Sequence, residues 1–300
     1  MTDIRWEVHR EAFHPRAIDG VRVTLDSPRL LSVTCYLLHL PACTVKSMQD
    51  ANFDPVPAPS RPRVWGLKDT AIVAAIVIAA FVVIPSILIV PADLIWGEDS
   101  EGYNVAAAIG TMIWYIVVVL IVFRYVQSCG FPPRALGLHW PTGGRDSWGR
   151  LIGLGLLTFL AMQLVVYGYS IVAFELFDLD FLEPSDQIED SLFDQDVALV
   201  FLGFAVVIGA PITEELFFRG FLFGGIRHYV PLVLSALLTG LVFSLLHFNI
   251  GLIIPFTVIG ALLALSYQRA GNLITPISAH FLFNLVSFLA LVFIPGARDT

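Results

Sequence analysis

The chain has 300 residues, of which 57% are hydrophobic and only 14% are charged, and its formal net charge is −8. An average soluble domain carries about 25% charged residues, so this composition and a mean hydropathy of +0.79 indicate an integral membrane protein. The sequence has no basic stripe with interleaved aromatic residues, which argues against nucleic acid as a partner. The lipid bilayer is therefore the expected environment of most of the chain.

Residues 1–69 differ from the rest of the chain. They hold nine of the 17 Lys and Arg residues and end in the proline-rich stretch FDPVPAPSRPR. We interpret them as a poorly ordered cytosolic tail. Met48 is an alternative start, in which case residues 1–47 would come from an over-long gene prediction.

Seven apolar segments of helical length follow the tail, and several are long enough to cross a hydrocarbon core of about 30 Å. A spanning segment must satisfy its own backbone hydrogen bonds, which a helix does. The sequence therefore predicts an all-α, polytopic helical membrane bundle with about seven transmembrane helices. Their approximate bounds are 70–92, 105–123, 150–174, 197–222, 231–247, 252–268 and 273–294.

The connections between these segments predict the orientation of the bundle. The connection 124–150 holds four arginines, whereas the connections 93–104 and 175–196 hold no Lys or Arg. The positive-inside rule then places the N-terminus and the 124–150 loop in the cytoplasm, with the plasma membrane as the expected location. The 175–196 loop carries nine acidic residues. We interpret it as a solvated outer loop, and a cation site is the alternative.

Polar residues in the later apolar segments are the candidates for chemistry, because such residues usually face the interior of a helical bundle. The stretch PITEELFFRGF carries Glu214, Glu215 and Arg219. His247 ends the stretch LVFSLLH, and His280 and Asn284 lie in ISAHFLFNL.

Helical spacing separates the two glutamates. Glu215 and Arg219 are four residues apart, which predicts a structural ion pair on one face of the helix. Glu214 points about 100° away and has no partner nearby in the sequence, so it is the candidate general base. Pro211 is expected to kink the helix one turn earlier and to free a carbonyl.

The remaining polar residues also follow helical spacing. His280 and Asn284 are four residues apart and project together, and Phe243 can pack beneath the ring of His247. A structural interpretation stands beside each of these assignments, because a single histidine in a span is often a hydrogen-bonded packing residue.

Three motifs in this order, EELFFR, FSLLH and HFLFN, resemble the signature motifs of the CPBP family of intramembrane proteases. This family comprises CAAX prenyl endopeptidases and bacteriocin-processing enzymes and is also called the Abi family. The resemblance covers about residues 196–294, which it identifies as a catalytic transmembrane core, and leaves residues 70–195 as accessory transmembrane helices. It implies a CAAX-protease-like endopeptidase that acts on a peptide or protein substrate in or at the membrane.

The resemblance also implies roles for individual residues. Glu214 would activate water with assistance from His247, and His280 and Asn284 would polarise the substrate or stabilise the oxyanion. Glu215 and Arg219 remain the structural ion pair. The family is often labelled metalloprotease, and catalytic zinc needs about three protein ligands, for which the motifs offer Glu214, His247 and His280. Using Glu214 as a ligand would leave Glu215 as the only nearby base, and Glu215 is expected to be held by Arg219. A mechanism without a cofactor is favoured, with zinc on those three residues as the alternative.

Two further functions are compatible with the same residues. The chain could be a non-catalytic membrane scaffold or immunity protein, or a proton-coupled transporter that uses these groups as a relay. The depth of His247 adds one structural expectation. If the fifth segment began at the membrane surface, His247 would lie far deeper than His280, so the fifth and sixth segments are predicted to form a short hairpin that does not fully reach the outer surface.

Overall fold

The structure is a computed structural model that describes residues 21–25, 31–35, 65–98, 100–144, 146–182 and 194–294. The chain divides into two compact units, Met1–Pro59 and Ser60–Thr300. In the first unit, β1 (Val21–Leu25) and β2 (Leu31–Cys35) form an antiparallel hairpin in which Val23 lies opposite Val33. The predicted cytosolic tail and the alternative start at Met48 fall largely outside the described residues and stay predictions.

The second unit is helical, which confirms the prediction of a polytopic bundle of about seven helices. Six of them are long and apolar enough to cross a membrane, and α5, with 14 residues, is shorter. The helices are α1 (Leu67–Trp96), α2 (Glu101–Ser128), α3 (Trp148–Leu176), α4 (Asp196–Ile226), α5 (Leu232–Leu245), α6 (Ile253–Ala270) and α7 (Ile274–Phe293).

The outer surface of the bundle is apolar. Large aliphatic side chains such as Ile87 and Leu94 on α1 and Leu164 on α3 are exposed along the lengths of the helices. An apolar surface of this extent is not found on a soluble monomer and suits contact with lipid tails.

Helix α4 departs from regular α-helical geometry in two places. Its backbone has the wider π-helical winding over Phe204–Gly209 and again over Glu215–Phe223. The first of these segments ends two residues before Pro211, whose ring nitrogen carries no hydrogen for the helical ladder. Wide turns of this kind often mark functional sites, and here they flank Glu214.

Helices α5 and α6 form a hairpin in close contact at two glycines. A Cβ atom on Gly260 would lie 2.6 Å from the Cα atom of Gly240, so no larger residue fits without a backbone shift. At about 1.5 Å per residue, α5 is roughly 21 Å long, which is short for a hydrocarbon core of about 30 Å.

The turn after α5 lies beside the middle of α1. The ring of Phe248, in this turn, stacks on Phe81 with 6.0 Å between the ring centroids. Phe81 is near the midpoint of α1, which is a spanning helix of 30 residues. This geometry supports the predicted short hairpin. It also explains how His247, at the end of α5, can lie at a membrane depth similar to that of His280.

The loop between α2 and α3 is tied to the turn between α6 and α7. The Asn272 side chain donates to Asp146 Oδ1 and to the His139 carbonyl, both at 3.2 Å. Partial burial acts to raise the pKa of Asp146, but the bonds from Asn272, the Thr142 amide and His139 outweigh it and lower that pKa. The loop therefore holds the start of α7 in place.

Candidate active site

The predicted partners Glu215 and Arg219 lie at the centre of the bundle. Arg219 Nη1 donates to Glu215 Oε1 at 2.7 Å, and both side chains are almost completely buried. Arg219 Nη2 donates to the Gly260 carbonyl of α6 at 3.2 Å, and the guanidinium lies 4.9 Å from the centroid of the Phe243 ring on α5. Arg219 thus joins α4 to the α5–α6 hairpin through a hydrogen bond and a cation–π contact.

His280 of α7 is the second partner of Glu215, which spacing within one helix could not predict. The distance from His280 Nδ1 to Glu215 Oε1 is 2.8 Å. A carboxylate oxygen accepts a hydrogen bond, so Nδ1 carries the hydrogen and the ring orientation is fixed. Glu215 therefore binds Arg219 and orients His280 at the same time.

The other nitrogen of His280 faces Glu214. Glu214 Oε2 lies 3.9 Å from His280 Nε2, which is longer than a direct hydrogen bond. The Glu214 side chain is 16% exposed, whereas that of Glu215 is 0% exposed. Glu214 is consequently the glutamate that a substrate or a water molecule can reach.

His247 lies at the end of α5 and packs between two aromatic rings. Its ring centroid is 4.8 Å from that of Phe243 and 4.7 Å from that of Phe256, and Nδ1 lies 2.9 Å from the Phe243 carbonyl. That nitrogen must donate, because a carbonyl only accepts, which leaves Nε2 free in the neutral ring. In the described part of the chain, His247 connects to His280 through Phe243, whose ring centroid is 5.9 Å from that of His280.

Asn284 lies one turn beyond His280 on α7, as its spacing predicts. Its Nδ2 atom donates to the Val206 carbonyl of α4 at 2.8 Å. One of its two amide hydrogens is therefore used within the protein, and the second remains for another acceptor.

Tyr115 of α2 is a candidate that sequence reasoning missed. Tyr115 is buried, and its phenol is within electrostatic range of Glu214. Its ring packs closely on α4, since a Cβ atom added to Gly209 would lie 2.8 Å from Tyr115 Cδ2. No motif includes it, and a single tyrosine in an apolar helix gives no sequence signal.

The side chains near Glu214 provide few metal ligands. Within the described ranges, no three His, Cys, Asp or Glu side chains are grouped closely enough to hold a metal ion. His280 Nδ1 is already bonded to Glu215, and only its Nε2 faces Glu214. The alternative zinc set of Glu214, His247 and His280 is therefore not assembled in this geometry, because catalytic zinc needs about three protein ligands.

Taken as chemistry, the cluster combines an accessible carboxylate, two imidazoles with defined donor atoms and an amide. These are the groups that activate water and stabilise a developing oxyanion. The arrangement lies inside a bundle of apolar helices, where electrostatic interactions are strong.

Comparison with known proteins agrees with this chemistry. Residues 196–286 match the family described as "Type II CAAX prenyl endopeptidase Rce1-like". The chain is also 24% identical over 185 residues to the protein named "Putative membrane peptidase YdiL" of Bacillus subtilis (strain 168), covering 61% of this chain and 70% of that one. No solved structure matches the chain. The two matches confirm the resemblance predicted from the three motifs.

Proposed function

We propose that this protein, whose residues 196–286 match the Rce1-like endopeptidase family, is an intramembrane endopeptidase that uses Glu214 to activate water near the cytoplasmic leaflet. The family match and the peptidase relative support a protease at the level of the family. The observation that carries the finer proposal is the Glu214 carboxylate, partly accessible and 3.9 Å from an imidazole that Glu215 orients.

The separation of Glu214 and His280 suits a reaction with water. A gap of 3.9 Å is too long for a direct hydrogen bond, but one water oxygen can contact both Glu214 Oε2 and His280 Nε2 at about 2.8 Å. A carboxylate in hydrogen-bond contact with a water molecule can accept its proton, which is the geometric requirement for a general base.

The proposed hydrolysis proceeds in two steps. Glu214 takes a proton from water while the water oxygen forms a bond to the carbonyl carbon of the peptide, which places negative charge on the carbonyl oxygen. The C–N bond then breaks and the proton held by Glu214 passes to the leaving nitrogen. One water and one peptide bond thus give one carboxyl group and one amine.

The histidines and Asn284 assist these steps. His280 provides Nε2 as the donor to the oxyanion, and the bond from Nδ1 to Glu215 holds the ring in the orientation that this requires. Asn284 supplies its second amide hydrogen to the same oxyanion. His247 holds its free Nε2 as an acceptor that assists Glu214, since Nδ1 is bonded to the Phe243 carbonyl. One oxyanion donor contributes about 2.7–4 kcal/mol in well-studied hydrolases.

The reaction is proposed to run without a metal. Among the described residues, too few His, Cys, Asp or Glu side chains are grouped around Glu214 to bind catalytic zinc. Glu214, the two histidines and Asn284 each have a role in direct attack by water. Arg219 stays a structural cation, because its side chain is almost completely buried and two of its donors are bonded to Glu215 and Gly260.

The substrate is proposed to be a protein in or at the membrane, and the site is proposed to open toward the cytoplasm. The cationic residues Arg227 and Arg269, which follow the helices that carry or contact the site, support that orientation by the positive-inside rule. The family description supports cleavage of a membrane-associated chain.

The test compares wild-type protein with the Glu214→Gln variant in membranes. Mass spectrometry of membrane proteins incubated with each should find new peptide termini with the wild type only. We expect kcat to fall by a factor of at least about 10²–10⁴ in the variant, because general-base catalysis is removed. Equal cleavage by both would contradict the assignment of Glu214, and no cleavage by a well-folded wild type would favour the scaffold or the transporter.

The metal is tested on the same preparation. The purified protein is treated with a strong chelator, its metal content is measured by elemental analysis, and cleavage is assayed again. Activity is expected to survive. Loss of activity that stoichiometric zinc restores would instead assign Glu214, His247 and His280 as zinc ligands.

A further inference from the structure

We infer that Asn284 is a positioning residue that replaces the backbone hydrogen bond lost at Pro211, and that this contact holds Glu214 opposite His280. The catalytic consequence rests on the proposed function, but the structural part does not. The role is distinct from oxyanion stabilisation, because it acts through the backbone of α4 and not on the reacting atoms.

The break in α4 leaves one carbonyl without a helical donor. The Ala210 amide donates to the Ala205 carbonyl, five residues back. In the same register the next pair would be the amide of residue 211 and the Val206 carbonyl. Pro211 has no amide hydrogen, so this register offers the Val206 carbonyl no donor from its own helix. A backbone group left unsatisfied at membrane depth is destabilising, because no water is present to replace the lost bond.

Asn284 supplies the missing donor from another helix. Its Nδ2 atom lies 2.8 Å from the Val206 oxygen, which is a short distance for a hydrogen bond from an amide nitrogen. Neighbouring helices commonly satisfy backbone groups that proline frees in transmembrane helices. The carbonyl that Pro211 leaves without a donor is that of Val206, and the Asn284 amide donates to it.

In the described part of the chain, a second side-chain hydrogen bond also joins α7 to α4. It is the bond of 2.8 Å between His280 Nδ1 and Glu215 Oε1. Along α4, Val206 lies on one side of Pro211 and Glu215 on the other, and Glu214 follows Pro211 by three residues. One bond on each side of Pro211 therefore fixes the position of Glu214 relative to His280.

A double-mutant cycle tests this inference with Asn284→Ala, Pro211→Ala and the double variant. Alanine at position 211 restores an amide hydrogen that can donate to Val206. We expect Asn284→Ala to lower kcat in both backgrounds, because the oxyanion loses a donor in each. The loss should be about tenfold larger in the wild-type background than in the Pro211→Ala background, the difference that about 1.4 kcal/mol of misplacement produces, with little change in KM.

Thermal unfolding in detergent gives a readout that needs no substrate. Asn284→Ala should lower the unfolding midpoint by about 2–4 °C in the wild-type background, and by less in the Pro211→Ala background. Pro211→Ala alone should stay near wild type, because the Val206 oxygen has two lone pairs and accepts both donors. Pro211→Ser restores the same amide hydrogen and replaces the alanine variant if that variant does not insert.

Pro85→Ala is the matched control, because Pro85 also lies inside a transmembrane helix, α1, away from Asn284. It should not reduce the effect of Asn284→Ala. Equal losses of midpoint and of kcat in both Pro211 backgrounds would overturn the inference and assign Asn284 to the oxyanion alone. If the unfolding midpoints of the variants show the expected coupling but the wild type cleaves nothing, only the proposed function is overturned.

Discussion

At the scale of single residues, two adjacent glutamates have opposite environments. Glu215 is fully buried and accepts bonds from both Arg219 and His280, whereas Glu214 is partly accessible and has no hydrogen bond as short as these among the described residues. The rotation of about 100° between adjacent helical residues separates the structural carboxylate of Glu215 from the reactive carboxylate of Glu214. The same rotation places Glu214 toward the space in front of His280.

Substitution of Glu215 should therefore affect stability where substitution of Glu214 does not. We expect Glu215→Gln to reduce the free energy of unfolding by about 3–5 kcal/mol, because it leaves the Arg219 cation buried without its counterion. Glu214→Gln should unfold within about 1 kcal/mol of wild type, since it removes no partner of a buried cation. Denaturant titration of both variants in detergent measures the difference. A Glu215 variant as stable as the Glu214 variant would contradict the structural role.

At the scale of the elements, the α5–α6 hairpin carries two contacts on which the site depends. The approach of Gly240 and Gly260 brings the Gly260 carbonyl within reach of Arg219, and Phe243 contacts Arg219, His247 and His280. Small residues at a helix contact in a membrane allow such close approach of two backbones.

Gly260→Ala should separate this hairpin. The added methyl would lie 2.6 Å from the Gly240 Cα atom, so the backbone must shift and the bond from Arg219 must lengthen. We expect a loss of about 1–3 kcal/mol in unfolding free energy, together with reduced cleavage. Gly153→Ala in α3 is the matched control, because a Cβ atom there contacts nothing within 4 Å. It should leave stability unchanged or slightly raised, and a comparable loss in both variants would argue against the contact.

At the scale of the whole molecule, the bundle is a set of apolar helices with an orientation predicted by its loops. The loop around Asp146 packs on the turn before α7, and the four arginines of residues 124–150 predict that both lie on the cytoplasmic side. The proposal that the site opens toward the cytoplasm depends on this predicted orientation.

Single cysteines test this orientation in an otherwise cysteine-free protein. Cysteine at Thr142, which is exposed in the described loop, should react with an impermeant thiol reagent only from the cytoplasmic side. Cysteine at Ser185, which lies outside the described residues, should react only from the outer side. Labelling of intact cells and of inverted vesicles distinguishes the two. Exchange of the two sides would reverse the orientation and move the proposed site to the outer leaflet.

The amino-acid sequence by itself determined the class of fold and the members of the cluster. Long apolar segments require helices in lipid, and residues four apart on one helix must share a face, so the bundle, the Glu215–Arg219 spacing and the His280–Asn284 spacing were accessible from local rules. The tertiary structure alone decided which groups meet across helices. That Glu215 binds His280, that Asn284 binds the carbonyl freed by Pro211, and that His247 reaches the cluster through Phe243 all depend on the packing of α4, α5 and α7. Contacts between distant segments follow from helix crossing and backbone approach, which no local pattern specifies.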